Sequence, residues 1–225
     1  MLLNAIDGGA GQQRHEAVGK PIIPSVLVDG DPVPIIHPVQ LRGILGMPDE
    51  SGSAAEPWLP MAWDIAAVLD DWVRLVGHYE WDQLLEPTLS RGRDSRNLTV
   101  NVCRPIDLLP AAYREHFFAW YTGEADLQVE AYLHTTEQVR TYVERASRTW
   151  QAFLLEVSEL PEVDDPFVVS NRGDTAFSEL VRLQRFHAAF HHRQICDFLD
   201  NAGVPVARLL DVTAFTGIGL PEELY

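Results

Sequence analysis

The spacing of apolar and polar positions changes character once along this chain. Up to about Gly46 the apolar residues come in short runs separated by turn residues. Ile22 to Val28 reads as a strand, Asp29-Gly30 as a tight turn and Val33 to Ile36 as a second short strand. Pro38 to Leu45 reads as a helix, with proline at its first position and Gly46 at its end. Residues 47–58, which open MPDESGSAAEP, are small, acidic and polar, and read as a linker.

Beyond the linker the period lengthens to that of a helix. Trp63, Ile65, Ala66, Leu69, Trp72, Val73, Val76 and Leu84 form an apolar stripe that predicts a helix from about Pro60 to Leu85. Three more are predicted from about Ser95 to Phe118, Leu133 to Val157 and Phe177 to Leu199. Pro105 and Pro110 fall inside the second. A mid-helix proline removes a hydrogen bond and costs roughly 3 kcal/mol, so a kink or break is expected there. The segment SELPEVDDPFVVSNRGD separates the last two helices, and the tail from Val204 to Tyr225 is apolar enough to pack on them. The expected fold class is mainly α, with a four-helix bundle and its C-terminal tail over 59–225 behind a small α/β segment over 1–46.

Composition narrows the partners. At 225 residues and 46% hydrophobic, the chain can bury a substantial core. Its net charge is −16, and of its 17 basic residues only Lys20 is lysine. Such a surface has no basic run with which to hold nucleic acid or an anionic membrane, which leaves a small-molecule substrate as the expected partner of a monomer or homodimer. Cys103 and Cys196 form neither a CxxC pair nor a disulfide framework, and MLLNAIDGGAGQQRH contains no long apolar stretch, so a reducing cytoplasm is expected.

The candidate chemistry sits in RFHAAFHHRQICDFL, near the end of the last predicted helix. His187 and His191 are four apart and share a face with Leu180, Leu183, Gln184, Gln194 and Phe198. His192 is offset from them and is expected at the rim of the bundle. Two imidazoles at this spacing can converge on one divalent ion if another helix supplies a third ligand. They can equally be core histidines hydrogen-bonded to neighbours.

The motif HxxxHxRQ, here His187, His191, Arg193 and Gln194, stands with RHEAVGKPIIPSVLVDGDPVPIIH, SRGRDSRNLTVNV and GIGLPEELY. Together these resemble the DinB/YfiT-like superfamily of four-helix-bundle, metal-dependent thiol transferases and isomerases, in a subgroup with an N-terminal glutaredoxin-derived segment. The resemblance implies a divalent metal (Zn, Ni or Mn) held by one histidine of the second helix and two of the last, with a low-molecular-weight thiol as co-substrate. In this chain the second-helix position falls on Asn101 or Arg104. An amide oxygen is a poor ligand for transition metals and a guanidinium repels a cation, so the site would be a degenerate one of His187 and His191, completed by water or Asn101. Cys103 lies between those two positions on a different face, and His78, His116 and His134 are not placed to substitute. The glutaredoxin-like segment has no cysteine, so it is expected to keep shape, with Pro24 at the cis-proline position, without redox chemistry. His37 is its one candidate loop residue.

Three functional expectations follow. The first is a DinB-type enzyme that transfers a thiol or isomerises a small molecule with that metal. The second is a metal-free lyase, isomerase or cyclase of specialised metabolism. There His187 and His191 move protons, Arg104 beside Asn101 fixes an anionic oxygen, and Trp63, Trp72 or Tyr79 supplies an aromatic wall. The third is a binding or stress-response protein without chemistry.

Overall fold

The computed structural model describes residues 13, 16–17, 25–29, 31–34, 57–87, 93–119, 123–170 and 174–221. The chain divides into two compact units, Met1–Glu56 and Pro57–Tyr225. In the first, β1 (Ser25–Val28) and β2 (Asp31–Pro34) pair antiparallel, with Val28 opposite Asp31. Asp29 has a φ of 52°, the left-handed backbone that a tight hairpin turn requires and that aspartate tolerates better than most residues. Pro24, His37, the helix expected over Pro38–Leu45 and most of the linker lie outside the described residues.

The second unit is mainly helical. Its elements are α1 (Trp58–Val76), α2 (Trp81–Leu84), α3 (Ser95–Glu115), β3 (Phe117–Phe118), α4 (Gly123–Glu130), α5 (Thr136–Ser158), β4 (Phe167–Ser170), β5 (Thr175–Ala176) and α6 (Phe177–Asn201). The four long helices pack in a closed cycle, α1 on α5, α5 on α3, α3 on α6 and α6 on α1. No helix among the described residues is long and apolar enough to cross a membrane.

The first predicted helix stops earlier than its apolar stripe. Gly77 and exposed His78 form a turn after α1, and a reciprocal cap between Glu80 and Gln83 starts the separate α2. Leu84 still reaches the core, from α2, and so continues the apolar stripe in the sequence. The second predicted helix runs unbroken through both prolines. Pro105 and Pro110 are themselves buried, and Val102, Cys103, Ile106, Leu109 and Ala112 of the same helix are all fully enclosed. Burying each large apolar side chain contributes about 1.5–3 kcal/mol, enough together to offset two missing hydrogen bonds. The helix ends at Glu115 instead of Phe118 because His116 turns left-handed, with φ 57°.

Two features had no sequence expectation. The short α4 packs on α3, and β3, β4 and β5 form a small mixed sheet. Phe118 pairs parallel with Ser170 and Val168 antiparallel with Thr175, and the side chains of Phe118 and Val168 turn into the core. The tail packs as expected. Val204, Val206, Leu210, Phe215, Ile218 and Leu220 lie against the core, and buried Arg185 holds the tail by donating to the Thr216 carbonyl at 2.9 Å.

Candidate functional site

The inward face of α6 is centred one position away from the expected stripe. Leu180, Val181, Gln184, Arg185, Ala188, Ala189, His192, Ile195, Cys196 and Leu199 are buried, while His187 and His191 are half-buried along its border. Arg185 and His192, polar and therefore unpromising as core residues, are accommodated by carboxylates of α1. Arg185 Nε donates to Asp64 at 2.6 Å, and His192 Nε2 donates to Asp71 Oδ2 at 2.7 Å. His192 is thus not at the rim but 2% exposed in the interior.

At the border, α6 faces α3. His187 Nε2 lies 3.1 Å from Oδ1 of buried Asn101, and Arg93 Nη1 donates to that same oxygen at 3.3 Å. A guanidinium can only donate, so the atom facing both is the amide oxygen, and the His187 contact must be an Nε2–H donation. The neutral ring then carries its lone pair on Nδ1. Burial, the adjacent His191 and the Arg93 cation all disfavour charging His187 and hold it well below the usual imidazole range. Its ring meets that of His191 edge to face, with centroids 4.6 Å apart. His191 Nδ1 donates to Gln194 Oε1 at 2.6 Å, which leaves the lone pair of a neutral His191 on Nε2. The site therefore holds two proton acceptors, one buried amide and one nearby cation.

Arg104 is not that cation. Although it shares a helical face with Asn101, its guanidinium turns toward α4, where Nη1 lies 3.7 Å from Oδ1 of buried Asp126. The expected role had an unforeseen competitor, because α4 and its buried carboxylate were not anticipated. Arg93, which takes the place beside the histidines, was missed. It immediately precedes Asp94, the residue that caps α3 by accepting from Asn97 N at 2.6 Å, and reaches along the helix from outside it. No periodic pattern reports such a contact. The segment SRGRDSRN does carry a helix-start signal, and that could have directed attention to its arginines.

The aromatic wall is also elsewhere. Trp72 is buried and donates to Thr99 Oγ1 at 3.1 Å, Tyr79 donates to the Ile195 carbonyl at 3.2 Å, and Trp63 is 40% exposed. The rings around the histidines come from α6 itself, where Phe190 contacts His191 and stacks on Phe186. Arg193 bonds the Pro221 carbonyl, so it ties α6 to the tail. Cys103 is fully enclosed and its thiol is pushed up by burial, while His78, His116 and His134 are exposed.

The donor set does not fit a divalent metal as it stands. The Asn101 oxygen that would serve as third ligand already accepts two hydrogen bonds, one from a permanent cation that would repel the ion. His187 Nδ1 and His191 Nε2 keep lone pairs but make only two ligands, one short of the three protein ligands of an open divalent site. Among the described residues no group of three or more His, Cys, Asp or Glu side chains is arranged to hold a metal. Comparison with family models, with curated proteins and with solved structures returns no match.

Proposed function

We propose that this chain is a metal-free acid/base enzyme acting on a small carbonyl compound that bears a carboxylate, built on a DinB/YfiT-like bundle. The reading rests on one observation, the double hydrogen bond at Asn101 Oδ1, which fixes the His187 tautomer and sets the Arg93 guanidinium beside it. His187 Nδ1 and His191 Nε2 would accept a proton from the carbon next to the substrate carbonyl, and the Arg93 charge would favour the anionic substrate and the developing enolate. Asn101 acts as a positioning residue that holds the His187 ring. The relation to the DinB/YfiT-like superfamily is supported by HxxxHxRQ and by the cyclic packing of four long helices.

The test uses simple 2-oxo acids, pyruvate, 2-oxobutyrate and 2-oxoglutarate, incubated with the full chain in D2O and EDTA. Proton NMR then follows loss of the signal next to the carbonyl. The expected result is exchange above the buffer rate that persists in EDTA and falls by a hundredfold or more in His187→Ala. Exchange that appears only with added zinc, nickel or manganese, or none with any probe, would contradict the proposal.

A further inference from the structure

A second group of reactive side chains lies one helical step inward from the border histidines. On α6, Cys196 Sγ sits 4.0 Å from Nδ1 of His192, four residues earlier. The other ring nitrogen, Nε2, donates to Asp71 Oδ2 at 2.7 Å, and the second oxygen of Asp71 is held by Arg74 at 2.7 Å. A carboxylate only accepts, so Nε2 carries a proton and the lone pair of a neutral His192 must lie on Nδ1, toward the sulfur. A nucleophile, a base and a group that orients the base are thus in sequence. Tyr79 donates to the carbonyl of neighbouring Ile195. From the tail, Arg208 donates to the Cys196 carbonyl at 3.4 Å and pairs with Asp200, which ties the tail to this turn of α6.

We propose that Cys196 is a nucleophilic thiol and the site at which small soft electrophiles modify this chain. In the reaction the thiol gives up its proton, to Nδ1 of a neutral His192 or to water where the ring is already charged, so that an imidazolium stands between the thiolate and Asp71. The thiolate then attacks the electrophilic carbon. With iodoacetamide as the electrophile, the S–C bond forms as the C–I bond breaks, iodide leaves, and the proton given up by the thiol ends in water. Cys196 is only 4% exposed, so entry is limited to small reagents. Cys103 supplies an internal contrast, since it is fully enclosed and, among the described residues, has no imidazole partner.

The experiment measures carbamidomethylation of each cysteine in the native full chain by peptide mass spectrometry at pH 6.5, where an unassisted thiol is about 1% ionised. The same chain in urea, without the His192 and Asp71 contacts, gives the reference rate. The expected result is that native Cys196 reacts several-fold faster than unfolded Cys196, while native Cys103 reacts far more slowly than its own unfolded form. Asp71→Asn and His192→Gln should remove the acceleration, and a bulky dye maleimide should label native Cys196 poorly. If either variant fails to fold, the wild-type ratio of native to unfolded rate still decides. Native Cys196 reacting more slowly than unfolded Cys196, or equally fast in folded Asp71→Asn and His192→Gln, would overturn the proposal.

Discussion

Replacing Asp71 with alanine isolates the interaction that lets α6 carry a histidine in its interior. The Asp71 and His192 side chains are 8% and 3% exposed, and their hydrogen bond is 2.7 Å long. Removing one partner of a buried ion pair costs about 3–5 kcal/mol, because the remaining group loses both water and partner. Arg74 can turn to solvent, which favours the lower figure, about 3 kcal/mol. With a urea slope of about 2 kcal/mol per molar, the unfolding midpoint should fall by about 1.5 M. His192→Ala should cost a similar amount, and the double variant should cost clearly less than the sum, with a coupling of about 1.5–3 kcal/mol. The coupling also has a predicted pH window. Burial opposes charging His192, but its bonds to Asp71 and Cys196 outweigh this and raise it above the usual imidazole value, so its stabilisation is complete below about pH 6.5 and lost as pH rises through the raised value. Burial pushes Asp71 up, but its bonds from His192 and Arg74 lower it on balance, so its stabilisation is present above about pH 4 and lost as pH falls through the lowered value. Urea unfolding followed by tryptophan fluorescence, at pH 6 and pH 9.5, should therefore show strong coupling at pH 6 and weaker coupling at pH 9.5. A coupling below about 0.5 kcal/mol at pH 6, or one unchanged at pH 9.5, would show that the Asp71–His192 pair does not hold α6 in this way.

Two further substitutions separate structural from functional cations. Arg104→Leu removes the charge beside buried Asp126 and should cost about 1–3 kcal/mol in urea unfolding, while leaving exchange of the 2-oxo acid probes unchanged. Arg93→Met should do the reverse, raising KM for the anionic probes more than it lowers kcat, and moving the His187 titration upward without restoring it fully, since burial and His191 still disfavour its charge.

The long helices were legible because burial on one face leaves a period in the sequence. Their ends depended on single residues, such as left-handed His116, and on a local cap at Glu80 and Gln83. The small sheet was not legible, since β3 and β5 are each two residues long and too short to show alternation. At the site, the sequence placed His187, His191 and Asn101 together through helical spacing and resemblance. It misassigned Arg104 and His192 for one reason. Each pairs with a carboxylate on another element, Asp126 on α4 and Asp71 on α1, and such pairing decides where a charged group can be buried without leaving a signature in its own helix.

In the proposed site His187 stays neutral, with its proton on Nε2 toward Asn101 and its lone pair on Nδ1. Long-range nitrogen–proton correlation spectra of the imidazoles, recorded in EDTA from pH 5 to 8 and assigned by loss of the signal in His187→Ala, read this state directly. The predicted result is a neutral Nε2–H ring at pH 6 with no titration near 6.5. A ring protonated on Nδ1 alone, or one that titrates near 6.5 like an exposed histidine, would contradict the account.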